Sequence, residues 1–318
     1  MRPASVRHDA QRHSNMTRGL FLYLSRQPAL RKWMEAWPPS HKVTRRFVAG
    51  DTLTEALAVC ERLQQEGVFS TLDHLGENVR SIEEASASCD AYVSALEQIA
   101  ARQLSSTIAI KLTQFGLDLS ESACLENVRR LEAKAKTAAS RVEIDMESSA
   151  YTERTLAIAI QAGQECGCVR VCVQAYLHRS AADIDRLNAA AVPVRLVKGA
   201  YREPASIAFP RKQDVNANYV ALMKTLLDRG VYPALATHDE RIILQTIEYV
   251  TERGIRPDSF EFQMLYGIRR DLQRGLVTQG FRLRLYVPYG DAWYPYFMRR
   301  LAERPANVIF LARNLLYK

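Results

Sequence analysis

Eight extended runs alternating with eight helical segments predict an α/β chain folded as a closed parallel (β/α)8 TIM barrel. Two further observations support this. The 318-residue length is ordinary for such a barrel with a short appendage. An open doubly wound sheet, the alternative, normally carries a glycine-rich phosphate turn, yet no two of the fourteen glycines lie two residues apart, so GxGxxG is absent.

The expected elements follow in order. Residues 1–50 read as a basic N-terminal helical arm and 51–318 as the barrel; Met16 offers an alternative start, which would make residues 1–15 an extension. Residues 52–65 place Leu53, Ala56, Leu57, Cys60 and Leu63 at helical spacing before Gly67. Strands are predicted at 68–73, 107–113, 141–147, 169–176, 192–199, 232–238, 260–267 and 283–288. Helices are predicted between them at 81–104, 120–138, 151–164, 179–189, 213–229, 239–253 and 269–278, with a last one at 292–303.

Composition excludes several function classes. The arm carries ten Lys and Arg against Asp9 and Glu35, which is the whole formal excess of +8. The barrel is therefore balanced, with 33 basic and 33 acidic residues, and no nucleic-acid footprint is expected on it. No run of eighteen uncharged apolar residues occurs and no cleavable leader is visible, so a cytoplasmic protein is expected. The arm combines its charge with Leu20, Phe21, Leu22, Tyr23, Leu24, Trp33 and Trp37. It suits either peripheral contact with the inner face of an anionic membrane or packing on the barrel. Six cysteines without CxxC, and no HExxH, point to reduced, buried thiols rather than a metal site.

In a (β/α)8 barrel the chemistry gathers at the C-terminal strand ends. Lys111 closes strand two, and Glu143, Asp145 and Glu147 alternate onto one face of strand three. Gln174 and Tyr176 end strand four, Arg195 sits on strand five with Lys198 to Tyr201 beyond, and Thr237-His238 end strand six. Strand seven holds Glu261 and Gln263, and strand eight ends near Tyr286. By this reading every strand after the first lends a polar group to the mouth, and Lys111 can pair with Asp145. After strand eight, Pro288-Tyr289-Gly290 leads into a short helix bearing Arg299, Arg300 and Glu303. Two guanidiniums offer bidentate forks for a small carboxylate.

The segments RLVKGAY (195–201), EFQMLYG (261–267) and Tyr286 to Arg300 together resemble proline dehydrogenase, specifically its short monofunctional bacterial form. The resemblance runs from about residue 45 to the C-terminus. It implies a distorted barrel holding FAD noncovalently and oxidising L-proline to Δ1-pyrroline-5-carboxylate, with a quinone as electron acceptor. It also implies residue roles. Arg299 and Arg300 would take the proline carboxylate, with Lys111, Asp145, Tyr286 and Glu303 around the ring and amine and Leu265 beside the ring. Arg195 would lie at the flavin N5 edge and Gln174 near its pyrimidine portion. Met146, Lys198, Gly199, Ala200, Tyr201, Thr237 and His238 would contact the rest of the cofactor. The sequence departs from longer bifunctional members at Arg202, where they carry tryptophan, and at Tyr266, where they carry histidine. Two other readings stay open on residues alone. One is a barrel aldolase or lyase forming a Schiff base at Lys198 or Lys111. The other is a binding scaffold docked on membranes by its arm.

Overall fold

Strand pairing closes on itself: each of eight strands pairs in parallel with the next, and the first pairs with the last. The computed structural model describes residues 27, 44–76 and 79–303, the last five as helix backbone only. The strands are β1 (Phe69–His74), β2 (Ser106–Ile110), β3 (Val142–Ile144), β4 (Val169–Gln174), β5 (Val194–Val197), β6 (Ala234–Ala236), β7 (Glu261–Leu265) and β8 (Leu283–Tyr289). The helices are α1 (Leu53–Gln65), α2 (Ile82–Ala101), α3 (Glu121–Thr137), α4 (Thr152–Glu165), α5 (Ser180–Ala189), α6 (Lys212–Arg229), α7 (Glu240–Glu252), α8 (Arg270–Thr278) and α9 (Trp293–Glu303).

Local chemistry sets the helix starts. Thr52 and Glu55 form a reciprocal capping box on α1, while Ser81, Ser120 and Asp239 accept backbone N–H groups at the starts of α2, α3 and α7. Several strands end earlier than the apolar runs suggested. β2 stops at Ile110 and a 3-10 turn, Leu112–Phe115, follows, while β3 stops at Ile144. Lys111, Asp145 and Glu147 therefore stand on loops leaving the barrel rather than on ladder positions.

The main core lies between the strands and their helices. Ile108 and Ile110 of β2, Leu96 and Ile99 of α2 and Leu131 of α3 are all fully buried. Each such side chain contributes about 1.5–3 kcal/mol relative to leaving it in water. A second cluster sits over the C-terminal end. There Trp293, Tyr294 and Phe297 of α9 pack with Phe47, Val48, Leu75 and Ile268. Meanwhile α1 packs against β1 and β8, the place that the helix after β8 takes in a regular barrel. That exchange is the distortion of the fold, and it leaves α9 above the mouth. Most of the arm at 1–50 lies outside the described residues; of its last seven, Phe47 and Val48 are buried under α9.

Candidate active site at the barrel mouth

Inside the barrel the charged residues form two levels. Deeper down, Glu143, Arg170, Glu261 and Arg284 are each less than a tenth exposed. Arg170 donates to Glu143 at 3.0 Å and to Glu261 at 2.6 Å, Arg284 donates to Glu261 at 2.9 Å, and Gln263 donates to Glu261 at 2.7 Å. Burial alone would raise the Glu143 carboxyl, but the guanidiniums of Arg170, Arg195 and Arg284 hold it down at about 2. Glu261 is likewise held well below the usual carboxylate range against its burial, by Arg284 and Arg170. Glu261 and Gln263 thus belong to this interior layer and not to the mouth, which corrects the sequence expectation.

Arg195 joins the two levels. One nitrogen pairs with Glu143 below and another donates to Asp145 above at 2.5 Å. Desolvation opposes its charge, but these two carboxylates raise its pKa. Asp145 also accepts from Tyr286 Oη at 2.6 Å, and Lys111 Nζ lies 3.6 Å from it. The Lys111–Asp145 pair expected from the sequence is present, but a nearer carboxylate competes for the lysine: Asp73 of β1, 3.2 Å away. Burial raises the Asp73 carboxyl, with Lys111 pulling the other way. Tyr286 is raised well above a phenol's ordinary range, first by burial and then by the negative charges of Asp145 and Asp73. The first strand therefore does contribute a polar group. Sequence reasoning passed over Asp73 although it ends its strand run as Lys111 ends the next, and that placement was the available signal.

The remaining predicted residues fall beside this core. Gln174 donates to the Glu147 carbonyl at 2.9 Å and accepts from the Ala200 amide at 3.3 Å, so it ties the loop after β5 to the loop after β3. Met146 is buried and Tyr201 is exposed. Gly199 has φ +119°, and a Cβ there would stand 2.2 Å from the Tyr176 ring, so only glycine fits. Lys198 donates to Asp239 at 2.6 Å and to Asn216 at 2.7 Å, partners that sequence alone did not single out. Thr237 accepts the Asp239 amide, and His238 Nε2 accepts the Leu265 amide at 2.9 Å, so its Nδ1 carries the proton. Leu265 itself packs against the α9 cluster. A cleft of about 480 Å³ opens at the starts of α6 and α7, lined by Lys212, Gln213, Asn216, Asp239 and Arg241. Arg299, Arg300 and Glu303 ride on α9, but their side chains lie outside the described residues. No cluster able to hold a metal occurs among the described residues.

A closed barrel with linked charges at its C-terminal mouth, a glycine-constrained loop and a basic cleft beside it defines a (β/α)8-barrel enzyme acting on a small charged molecule. Residues 56–313 match the family described as Proline dehydrogenase. The chain is 44% identical over 303 residues to Proline dehydrogenase 1 of Bacillus subtilis (strain 168), covering 95% of this chain and 100% of that protein. It is 40% identical over 279 residues to Proline dehydrogenase of Deinococcus radiodurans, covering 86% of this chain and 90% of that protein. Among solved structures it resembles proline utilization A (PutA) from Bdellovibrio bacteriovorus inactivated by N-propargylglycine, with a TM-score of 0.77 and 25% identity. That likeness covers 82% of this chain and 32% of the other, so the chain spans about a third of that longer protein. The chain belongs to the proline dehydrogenase family, in its short single-function form.

Proposed function

We propose that this enzyme oxidises L-proline to Δ1-pyrroline-5-carboxylate with bound FAD and passes the electrons to a quinone. The linked set Lys111, Asp145, Arg195 and Tyr286 at the mouth carries the reading, because it supplies fixed charge around one small site under α9. Three features fit FAD. Gly199, at φ +119° against the Tyr176 ring, gives the loop after β5 a turn that only glycine allows, Lys212 and Arg241 stand at helix starts lining the cleft, and the buried Arg195 Nε has no hydrogen-bond acceptor among the described residues. In this reading Lys198, Gly199, Ala200, Tyr201, Thr237, His238, Met146 and Gln174 hold the cofactor, which supplies the hydride acceptor when bound.

The chain's own residues then orient the substrate. Arg299 and Arg300 take the proline carboxylate from above, with Glu303 one turn on, while Lys111, Leu265 and Tyr286 line the ring. Asp145 and Arg195 act as catalytic residues, Asp145 facing the amine and Arg195 offering positive charge where electron density arrives. Hydride leaves C5 and the ring nitrogen forms the imine; the amine proton is given up on the way. The aldolase alternative fits poorly. Lys198 is tied to Asp239 and Asn216, and Lys111 lies between two carboxylates, so neither amine is presented to attack a carbonyl. The described residues include no helix long and apolar enough to cross a membrane. The basic arm at 1–50 would give a cytoplasmic protein a peripheral membrane contact for reaching a quinone.

An absorption spectrum tests the proposal. The purified protein should be yellow and should bleach on addition of L-proline; a colourless protein that binds no FAD would sink it. Sedimentation with anionic liposomes, comparing the full chain with one beginning at residue 47, tests the arm.

A further inference from the structure

From Asp73 we infer a role that the mouth residues alone do not explain: it is a positioning residue that keeps Lys111 charged and turned toward the substrate. The inference rests on the proline reading above. Asp73 closes β1 with its side chain 2% exposed, and it lies nearer to the Lys111 ammonium than Asp145 does, 3.2 Å against 3.6 Å. A carboxylate is not buried this deeply without a partner, and Lys111 is the cation that faces it. Among the described residues, Asp145 beyond β3, Tyr286 and Tyr289 on β8 and Tyr92 of α2 also act on or feel Asp73. All of these are acids, so none can replace the lysine's charge.

The arrangement has two consequences. With Asp73 at 3.2 Å, Asp145 at 3.6 Å and the charge of Glu147 around it, the ammonium form of Lys111 is the one its surroundings favour. With Asp73 drawing on it, Lys111 does not collapse onto Asp145, which stays bound by Tyr286 at 2.6 Å and Arg195 at 2.5 Å. Removing the Asp73 charge takes away the nearest carboxylate around the lysine and leaves it Asp145 at 3.6 Å and the charge of Glu147. Lys111 then loses its proton at lower pH and competes with Tyr286 and Arg195 for the same carboxylate.

Binding of a saturated five-membered ring carboxylate that lacks an amine isolates this effect, because such a probe has no group of its own titrating in the alkaline range. Its affinity for the FAD-loaded enzyme is measured against pH, by calorimetry and by the flavin spectrum. In the parent protein, binding falls at high pH as Lys111 deprotonates. Asp73→Asn should move that fall to lower pH by about one unit or more, with affinity at pH 9 reduced roughly tenfold. Lys111→Met should abolish the fall, and Asp73→Asn added to Lys111→Met should cost less than about twofold more. An unshifted midpoint in Asp73→Asn, or losses that multiply in the double variant, overturns the inference. If Asp73→Asn does not fold, Lys111→Met still decides, since a pH dependence that persists without the lysine is incompatible with the proposal. A parent protein that proline does not bleach refutes the proline reading instead. A parent that bleaches, with Asp73→Asn unchanged, refutes only the role of Asp73.

Discussion

In the interior of the barrel Glu143 and Glu261 face Arg170 and Arg284, charge against charge and almost wholly buried, whereas at the mouth Lys111 and Asp145, linked to Arg195 and Tyr286, each keep 16% of the side chain exposed. Both levels are charged, yet they answer to different demands. The interior layer replaces apolar barrel filling with a buried ion-pair network whose charges have nowhere else to go. The mouth shares its charges unevenly, with Asp145 serving three partners at once, and that surplus of demand on one carboxylate is what a substrate can redistribute.

The largest effect should come from breaking the closed layer. Arg170→Met leaves Glu143 and Glu261 short of a guanidinium at full burial, and removing one member of such a pair costs about 3–5 kcal/mol. Urea unfolding should show that loss with the slope little changed; a loss under about 1 kcal/mol would mean the layer is not the support it looks to be. The sign with pH is also set. Glu143 is held at about 2 against an ordinary 4.5, so its contribution is present above pH 4.5 and disappears as pH falls toward 2.

Glu132 of α3 sharpens the same comparison, because it is a buried carboxyl outside both networks. It is 1% exposed and neither oxygen has a hydrogen-bond partner among the described residues. Burial pushes its pKa up to about 7, with the Cys168 amide nearby offsetting only part of this. A carboxyl raised from 4.5 on folding binds its proton more tightly in the native state. Stability therefore falls as pH rises from 4.5 to 7 and stays reduced above it. Glu132→Gln should be more stable than the parent by up to about 3 kcal/mol at pH 8 and indistinguishable near pH 4. Thermal melts at the two pH values check this, and equal gains at both would disprove the assignment.

The two levels also differ in how far the sequence discloses them. The eight-fold alternation suffices to predict the barrel, and reading the polar residues of each strand run as one set picks out Lys111, Asp145, Arg195 and Tyr286, which the structure links, although Lys111 and Asp145 lie just past their strands and Arg195 and Tyr286 within theirs. Glu261 was misplaced for a physical reason. A charge at the first residue of a strand and a charge at its last look alike in one dimension, and only the paired guanidiniums of β4 and β8 reveal the interior layer. Arg170 drew no notice since its partners lie 27 and 91 residues away. The exchange of α1 for the last helix was equally hidden, as it depends on which apolar face wins a place on β8.

At the mouth the next largest effect should follow from Arg300→Met. If α9 supplies the carboxylate anchor, the proline KM should rise on the order of fiftyfold, about 2.3 kcal/mol, with flavin content and the unfolding midpoint unchanged. Unchanged proline kinetics would detach the twin arginines from the substrate and leave α9 a cover only.

Tyr286→Phe asks the finest question, whether the sharing of Asp145 matters or only its charge. The phenol donates to Asp145 at 2.6 Å while its ring lies under the Arg195 guanidinium, 5.5 Å from the centroid. Phenylalanine keeps the ring and the cation–π contact and deletes a single hydrogen bond. Asp145 keeps Arg195 and Lys111, so its charge stays compensated and stability should barely change. A hydrogen bond to a charged group contributes about 1.5 kcal/mol, so kcat/KM for proline should fall roughly tenfold. A drop seen in kcat would mean that Tyr286 aims Asp145 during the reaction, and a drop seen in KM would mean that it shapes the ground-state pocket. No drop at all would place the uneven sharing of Asp145 outside catalysis and make the mouth as purely structural as the layer beneath it.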